Sequence, residues 1–165
     1  AASDVYKRQG YIRLTDFGLS QINHKEEAMY TICGTPEYLA PEILYKNGYG
    51  KPVDWWCLGS ILYELVVGLP PFYCKSRAEL FDKIKFADPI IPPFVSNKLK
   101  DLISQLLKKK PESRLCSKNG VEGIKSHPWF EGLDWKSLLE KKMKAPFVPK
   151  LDGKLDVDYF DKVFT

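Results

Sequence analysis

The stretch spanning residues 53–68, Val-Asp-Trp-Trp-Cys-Leu-Gly-Ser-Ile-Leu-Tyr-Glu-Leu-Val-Val-Gly, constrains the fold more than any other part of the chain. On a helix, Val53, Trp56, Ser60, Tyr63 and Val67 share one face, while Leu58, Ile61, Leu62 and Leu65 fill the others. A helix apolar on nearly every side belongs in the interior of a domain. Asp54 and Glu64 interrupt it, and it falls short of the ~20 residues that a bilayer crossing needs. It therefore reads as a buried core helix and not as a membrane span.

Other segments supply the elements to pack around it. Ser76 with Glu79 three residues on is a capping-box start, and Leu80, Phe81 and Ile84 follow at helical spacing. Leu99, Leu102, Ile103, Leu106 and Leu107 mark an amphipathic helix over 96–109, stopped by Pro111. Shorter helices are expected over 41–45, with proline at its first position, over 121–126, and over 134–142. Residues 11–15 alternate and are rich in β-formers, which predicts a strand, and 20–30 is a polar surface loop. From residue 145 the periodicity stops, and Pro146 and Pro149 favour an extended tail lying on a surface. Residues 1–9 lack periodicity and turn chemistry; they read as a non-native scar and are set aside.

Composition excludes several function classes. With 44% hydrophobic and 28% charged residues over 165 positions, the chain is long and apolar enough to bury a core. The net charge of +4 is modest, and the lysines, densest at 108–110, alternate with acids and apolar residues. That is the pattern of a solvated surface and not of a nucleic-acid stripe. The four cysteines, at 33, 57, 74 and 116, form no C-x-x-C pair. Cys33 and Cys57 lie among apolar residues and read as small core side chains. A reducing compartment, cytoplasmic or nuclear, fits this usage. No signal peptide or transmembrane segment is legible.

Asp16, Phe17 and Gly18 follow the expected strand, and Ala40-Pro41-Glu42 comes about two dozen residues later, the order in which these motifs stand in protein kinases. Between them lies Thr31-Ile32-Cys33-Gly34-Thr35-Pro36-Glu37-Tyr38-Leu39, followed by Val53-Asp54-Trp55-Trp56-Cys57-Leu58-Gly59. Together these closely resemble the AGC group of Ser/Thr protein kinases, over residues 10–165. The tail, with Pro146-Phe147-Val148-Pro149 and Asp158-Tyr159-Phe160-Asp161, looks closest to the protein kinase B, serum/glucocorticoid-regulated and S6 kinase branches. The resemblance implies an α+β protein-kinase-like fold, C-lobe only, mainly helical with a short β-hairpin at its start. It divides the chain into a partial catalytic domain over 10–130 and a partial C-terminal extension over 131–165.

The same resemblance assigns roles. Asp16 is the acceptor-only carboxylate that chelates Mg²⁺ bridging the phosphates of ATP, with Phe17 packed under the nucleotide and Gly18 allowing the turn. Phe160 lines the adenine pocket. Thr31 is the activation-loop phosphoacceptor for an upstream kinase; the Lys usual five residues after Asp16, a phosphate partner, is Gln21 here. Thr35 bonds the catalytic loop, and Ile32, Pro36 and Leu39 form the apolar shelf for the substrate residue after the acceptor. Glu37 and Glu64 bind basic residues preceding the acceptor in protein substrates, because a carboxylate accepts a bidentate guanidinium; for Glu64 a structural ion pair is the alternative. Glu42 and Arg114 form a buried ion pair, and Asp54 accepts backbone N–H groups of the catalytic loop.

A kinase also needs a Gly-rich loop, a Lys–Glu pair, a catalytic Asp and a second metal-binding Asn. None is present in these residues, and the Asn position, about thirteen before Asp16, falls on Ser3. Two readings follow: part of an active AGC kinase whose catalytic Asp lies upstream, this piece being inactive alone, or a kinase-derived docking or pseudokinase module without catalysis.

Overall fold

The computed structural model describes residues 10–12, 14–21, 28–150, 153 and 157. These fall into two compact units, one of Leu19–Leu133 and one of Ala1–Gly18 with Asp134–Thr165. Phe160, expected at the adenine pocket, and Ser3 lie outside the described residues.

The larger unit is helical. Its helices are α1 (Pro41–Tyr45), α2 (Pro52–Val67), α3 (Arg77–Phe86), α4 (Asn97–Leu106) and α5 (Val121–Lys125), with 3₁₀ turns at Pro36–Tyr38, Pro111–Ser113 and Pro128–Phe130. Proline opens α1 and α2, where its missing N–H costs nothing. The carbonyl-side end of α2 is closed by Gly68 at φ 90°, whose N–H bonds the Glu64 carbonyl at 2.8 Å, a conformation that glycine adopts without Cβ strain. Ser76 Oγ accepts from the Glu79 N–H at 3.5 Å and Ser96 Oγ from the Leu99 N–H at 3.4 Å. Only half of the expected capping box forms, because the Glu79 carboxylate turns to Lys83 instead, at 3.1 Å.

The core sits where α2 crosses α4. Trp56, Leu102, Ile103, Leu106 and Ile84 are fully buried, and Phe72 stacks on Trp56 with ring centroids 5.7 Å apart. The crossing is close: a Cβ on Gly59 would lie 2.8 Å from Leu106 Cβ and 3.1 Å from Leu107 Cγ. Gly59→Ala is therefore expected to force the helices apart and destabilise the unit by about 1–3 kcal/mol, read as a lowered midpoint in urea unfolding with unchanged slope.

Several expectations need correction. The 53–68 helix is not buried all round among the described residues: Trp56, Gly59, Ser60 and Tyr63 face the core, whereas Ile61 is 46% and Leu65 77% exposed. Its contacts with α4 and with the 3₁₀ turns at Pro36–Tyr38 and Pro111–Ser113 cover only part of its surface, so apolar character outruns burial. The strand expected at 11–15, and with it the hairpin, is absent among the described residues there, since Ile12 and Leu14 are exposed and a strand without a ladder partner has no backbone bonds to make. The sole β-bridge among the described residues pairs Met29 with Tyr49, through two 2.9 Å bonds. The helix expected over 96–109 ends at Leu106, capped by Leu107, whose N–H bonds the Ile103 carbonyl at 2.9 Å, and the Lys108 carbonyl beyond it accepts from Arg114 Nε at 3.1 Å.

In the smaller unit Asp134 caps α6 (Trp135–Leu139), accepting from the Ser137 N–H at 3.0 Å and the Ser137 hydroxyl at 2.6 Å. This helix stops short of the expected residue 142. The Tyr11 hydroxyl donates to the Met143 carbonyl, and Gly10, at φ 71°, passes so close to the Phe147 carbonyl that a Cβ could not fit. No helix among the described residues is long and apolar enough to cross a membrane.

Candidate functional site: the 29–64 surface and its anchor

The segment from Met29 to Leu39 is fixed at both ends. At one end the Met29–Tyr49 bridge holds it, and the Tyr49 hydroxyl donates to the Thr31 carbonyl at 2.6 Å, leaving the Thr31 side chain exposed. At the other end the chain enters the Pro36–Tyr38 turn and then α1, whose Pro41, Glu42 and Ile43 are buried.

Beneath α1 lies the ion pair. Arg114 Nη1 donates to Glu42 Oε1 at 2.7 Å and Nη2 to Oε2 at 3.0 Å, a bidentate geometry. Arg114 is 3% and Glu42 8% exposed. Two further guanidinium N–H groups donate to the Pro52 carbonyl at 2.7 Å and the Lys108 carbonyl at 3.1 Å, and the guanidinium carbon lies 5.3 Å from the Trp56 ring centroid. One cation thus ties α1, the start of α2 and the end of α4 together.

The Tyr38 hydroxyl donates to Glu64 Oε2 at 2.5 Å, and this bond to a carboxylate is the chief cause raising the tyrosine pKa. Glu64 is half-buried and forms no ion pair among the described residues, so its partner is a neutral hydroxyl and not a structural cation. Glu37, one residue before Tyr38, is also half-buried. The Cys57 thiol donates to the Tyr38 carbonyl at 3.4 Å, and burial pushes its pKa up to about 11, which makes it a packing residue without nucleophilic character. Of the three shelf residues, Ile32 is exposed and Pro36 half-buried, but Leu39 is 5% exposed and belongs to the core. Thr35 is exposed, its carbonyl accepting from the Tyr38 N–H at 3.1 Å.

Asp54 is exposed on the first turn of α2, and its carboxylate accepts no hydrogen bond among the described residues. Partial desolvation raises its pKa. In the smaller unit Asp16 adopts φ 63°, a left-handed conformation that Asp tolerates, and both it and Phe17 are exposed. No group of three His, Cys, Asp or Glu side chains able to hold a metal occurs among the described residues. Asp16 offers one carboxylate, so the described residues do not by themselves compose a magnesium site.

Sequence reasoning missed Lys109. Its run reads as solvated surface, and Lys108 and Lys110 are indeed exposed, but Lys109 is half-buried. Its Nζ lies 4.1 Å from the Phe72 ring centroid and 5.1 Å from that of Trp56, and donates to the Ile84 carbonyl at 2.7 Å. Desolvation lowers its pKa from 10.5 to about 8. Below pH ~8 the ammonium is held in this environment at a cost. Between about 8 and 10.5 the unfolded chain keeps the proton and the folded chain sheds it, so this group makes stability rise with pH. After solvent screening the rise is expected to be about 1–2 kcal/mol, and Lys109→Met removes it, as measured by urea midpoints at pH 7.5 and 9.5.

A family profile described as "Protein kinase domain" matches residues 5–130. The chain is 49% identical over 158 residues to the serine/threonine-protein kinase gad8 of Schizosaccharomyces pombe, covering 94% of this chain and 27% of that protein. It is 45% identical over 158 residues to human Sgk1, covering 95% and 37%, and 45% identical over 159 residues to the RAC family serine/threonine-protein kinase homolog of Dictyostelium discoideum, covering 95% and 35%. It thus spans roughly a quarter to two-fifths of the length of these relatives. On this similarity, the chain belongs to the protein kinase family, among the AGC-group serine/threonine kinases.

Proposed function

We propose that these residues form the substrate-reading surface and activation segment of a kinase that transfers the ATP γ-phosphate to Ser or Thr in protein substrates carrying basic residues before the acceptor. The observation that carries this reading is the Tyr38–Glu64 bond. A half-buried carboxylate with no ion-pair partner among the described residues, oriented by a hydroxyl on one oxygen, keeps its other oxygen for a guanidinium. Glu37 supplies a second acid on the adjoining turn, and Ile32, Pro36 and Leu39 give the apolar contact for the residue following the acceptor. Thr31, exposed on a segment tied down by Tyr49, is the site at which an activating kinase adds phosphate, with Gln21 in place of one cationic partner. Thr35 and Asp54 face the catalytic loop as hydrogen-bond partners.

Magnesium and ATP enter with the remainder of the kinase. Asp16 contributes one carboxylate to the metal and Phe160 one wall of the adenine site; the catalytic Asp lies upstream. Residues 1–9 are non-native in this reading, 10–130 belong to the catalytic domain and 131–165 to the C-terminal extension. The four free cysteines suit a reducing cytoplasmic or nuclear setting.

The test is phosphate transfer from radiolabelled ATP to a serine peptide with arginines before the acceptor. The full-length protein is expected to label it and to leave a tyrosine-acceptor analogue unlabelled, while the 165-residue chain alone stays at background. Tight binding of the peptide by the full-length protein with no transfer would instead establish the docking-module reading.

A further inference from the structure

Two Asn-Gly pairs occur in the chain, at 47–48 and 119–120, and the fold treats them differently. In such a pair the glycine nitrogen can close on the asparagine side-chain carbonyl, since no Cβ stands in its way. The nitrogen must first lose its proton, so a hydrogen-bonded N–H is protected. The Gly120 N–H donates to the Cys116 carbonyl at 2.9 Å, and the Gly120 carbonyl accepts from the Gly123 N–H at 3.1 Å. The Gly48 N–H meets no backbone carbonyl among the described residues, and Asn47 is exposed on the bend after α1. That bend cannot dispense with its glycine. Gly48 sits at φ 87°, and a Cβ there would lie 2.6 Å from Ala28 Cβ and 3.3 Å from the Tyr30 ring. The next residue is Tyr49, which bridges Met29 and whose hydroxyl holds the Thr31 carbonyl.

We propose that Asn47 is a deamidation site, and that its isoaspartate product unfastens the segment bearing Thr31. The Gly48 nitrogen gives its proton to water and attacks Asn47 Cγ. The N–Cγ bond forms, the Cγ–Nδ2 bond breaks, and ammonia leaves after taking a proton from water. A second water then opens the succinimide ring. Opening at Cγ gives aspartate, and opening at the Asn47 main-chain carbonyl gives isoaspartate. The second product routes the main chain through Cβ and Cγ, lengthening it by one carbon–carbon bond, about 1.5 Å. The insertion falls just before Tyr49, where two 2.9 Å bonds fix the register with Met29. The close packing of Gly48 on Ala28 and Tyr30 leaves no room to absorb it. The bridge is then lost, and with it the Tyr49–Thr31 bond. This chemistry stands apart from the reading of Thr31 as a phosphoacceptor, since no step in it involves phosphate.

The experiment ages the full-length protein in warm, mildly alkaline buffer and reads the amide-to-acid mass gain at each asparagine by peptide-resolved mass spectrometry. Asn47 is expected to convert about tenfold faster than Asn119, the factor that one retained backbone hydrogen bond supplies. In guanidinium chloride the two rates should converge. The isoaspartate fraction, separated by chromatography and assigned by electron-transfer fragmentation, should exchange the Met29 and Tyr49 amide hydrogens at least about tenfold faster than unaged protein. Asn47→Asp adds the charge without the extra methylene and should leave both amides protected, while Asn47→Ala should not age at this site. Equal rates at the two asparagines in the folded protein overturn the proposal. So does an excess at Asn47 that survives unfolding, or unchanged exchange at Met29 and Tyr49 in the isoaspartate fraction.

Discussion

Replacing Arg114 by alanine is expected to destabilise the larger unit by about 3–5 kcal/mol, enough to unfold much of the population at 37 °C. The cost is not the worth of the ion pair. Removing the guanidinium strands the buried Glu42 carboxylate without its two donors at 2.7 and 3.0 Å, and frees the Pro52 and Lys108 carbonyls of theirs. Arg114→Lys should recover only part, because an ammonium cannot make the bidentate fork. Leucine at both 42 and 114 should cost less than Arg114→Ala alone, since no charge is then left unpaired. Urea unfolding of the full-length protein, with the two singles and the double, measures the ordering. If Arg114→Ala costs under about 1 kcal/mol, the pair is not the anchor described.

The second large effect falls on substrate recognition. Glu64→Gln keeps the shape and can still accept from Tyr38, but it removes the charge that a guanidinium needs. For a peptide with arginine before the acceptor, KM is expected to rise about 30-fold with kcat nearly unchanged, the signature of lost uniform binding worth about 2 kcal/mol. Tyr38→Phe leaves the charge and removes its orienting bond, so a smaller rise of about three- to tenfold is expected. A peptide with alanine at the same place should be indifferent to both substitutions. A fall in kcat that is equal for both peptides would instead show damage to the fold around α2.

Much of this arrangement is legible in the sequence, because helix signals and catalytic motifs are local. The proline starts of α1 and α2, the Ser76 and Ser96 caps, and the apolar spacing of α4 all depend on residues within a turn of one another. What the sequence does not reveal depends on neighbours far along the chain. Lys109 sits in a lysine run that looks solvated, and only the fold brings Phe72 and Ile84 to it. Leu39 adjoins a surface motif but packs inward, and the Tyr38–Glu64 bond joins residues 26 apart. The strand at 11–15 failed for a related reason: alternation encodes a face, while a strand also needs a partner. The fully buried reading of α2 failed because apolar residues record what a helix can meet, and Ile61 and Leu65 are exposed among the described residues.

The most direct test of the substrate-reading surface is a charge swap. In the full-length protein, Glu64→Lys should lower kcat/KM for the arginine-bearing peptide by about 100-fold, through loss of an attraction and gain of a repulsion. The same variant should phosphorylate a peptide with glutamate in place of that arginine better than the wild-type protein does. If the variant loses both peptides equally, or the wild-type protein does not distinguish arginine from alanine at any position before the acceptor, then Glu64 does not read a basic side chain and the account of this surface is wrong.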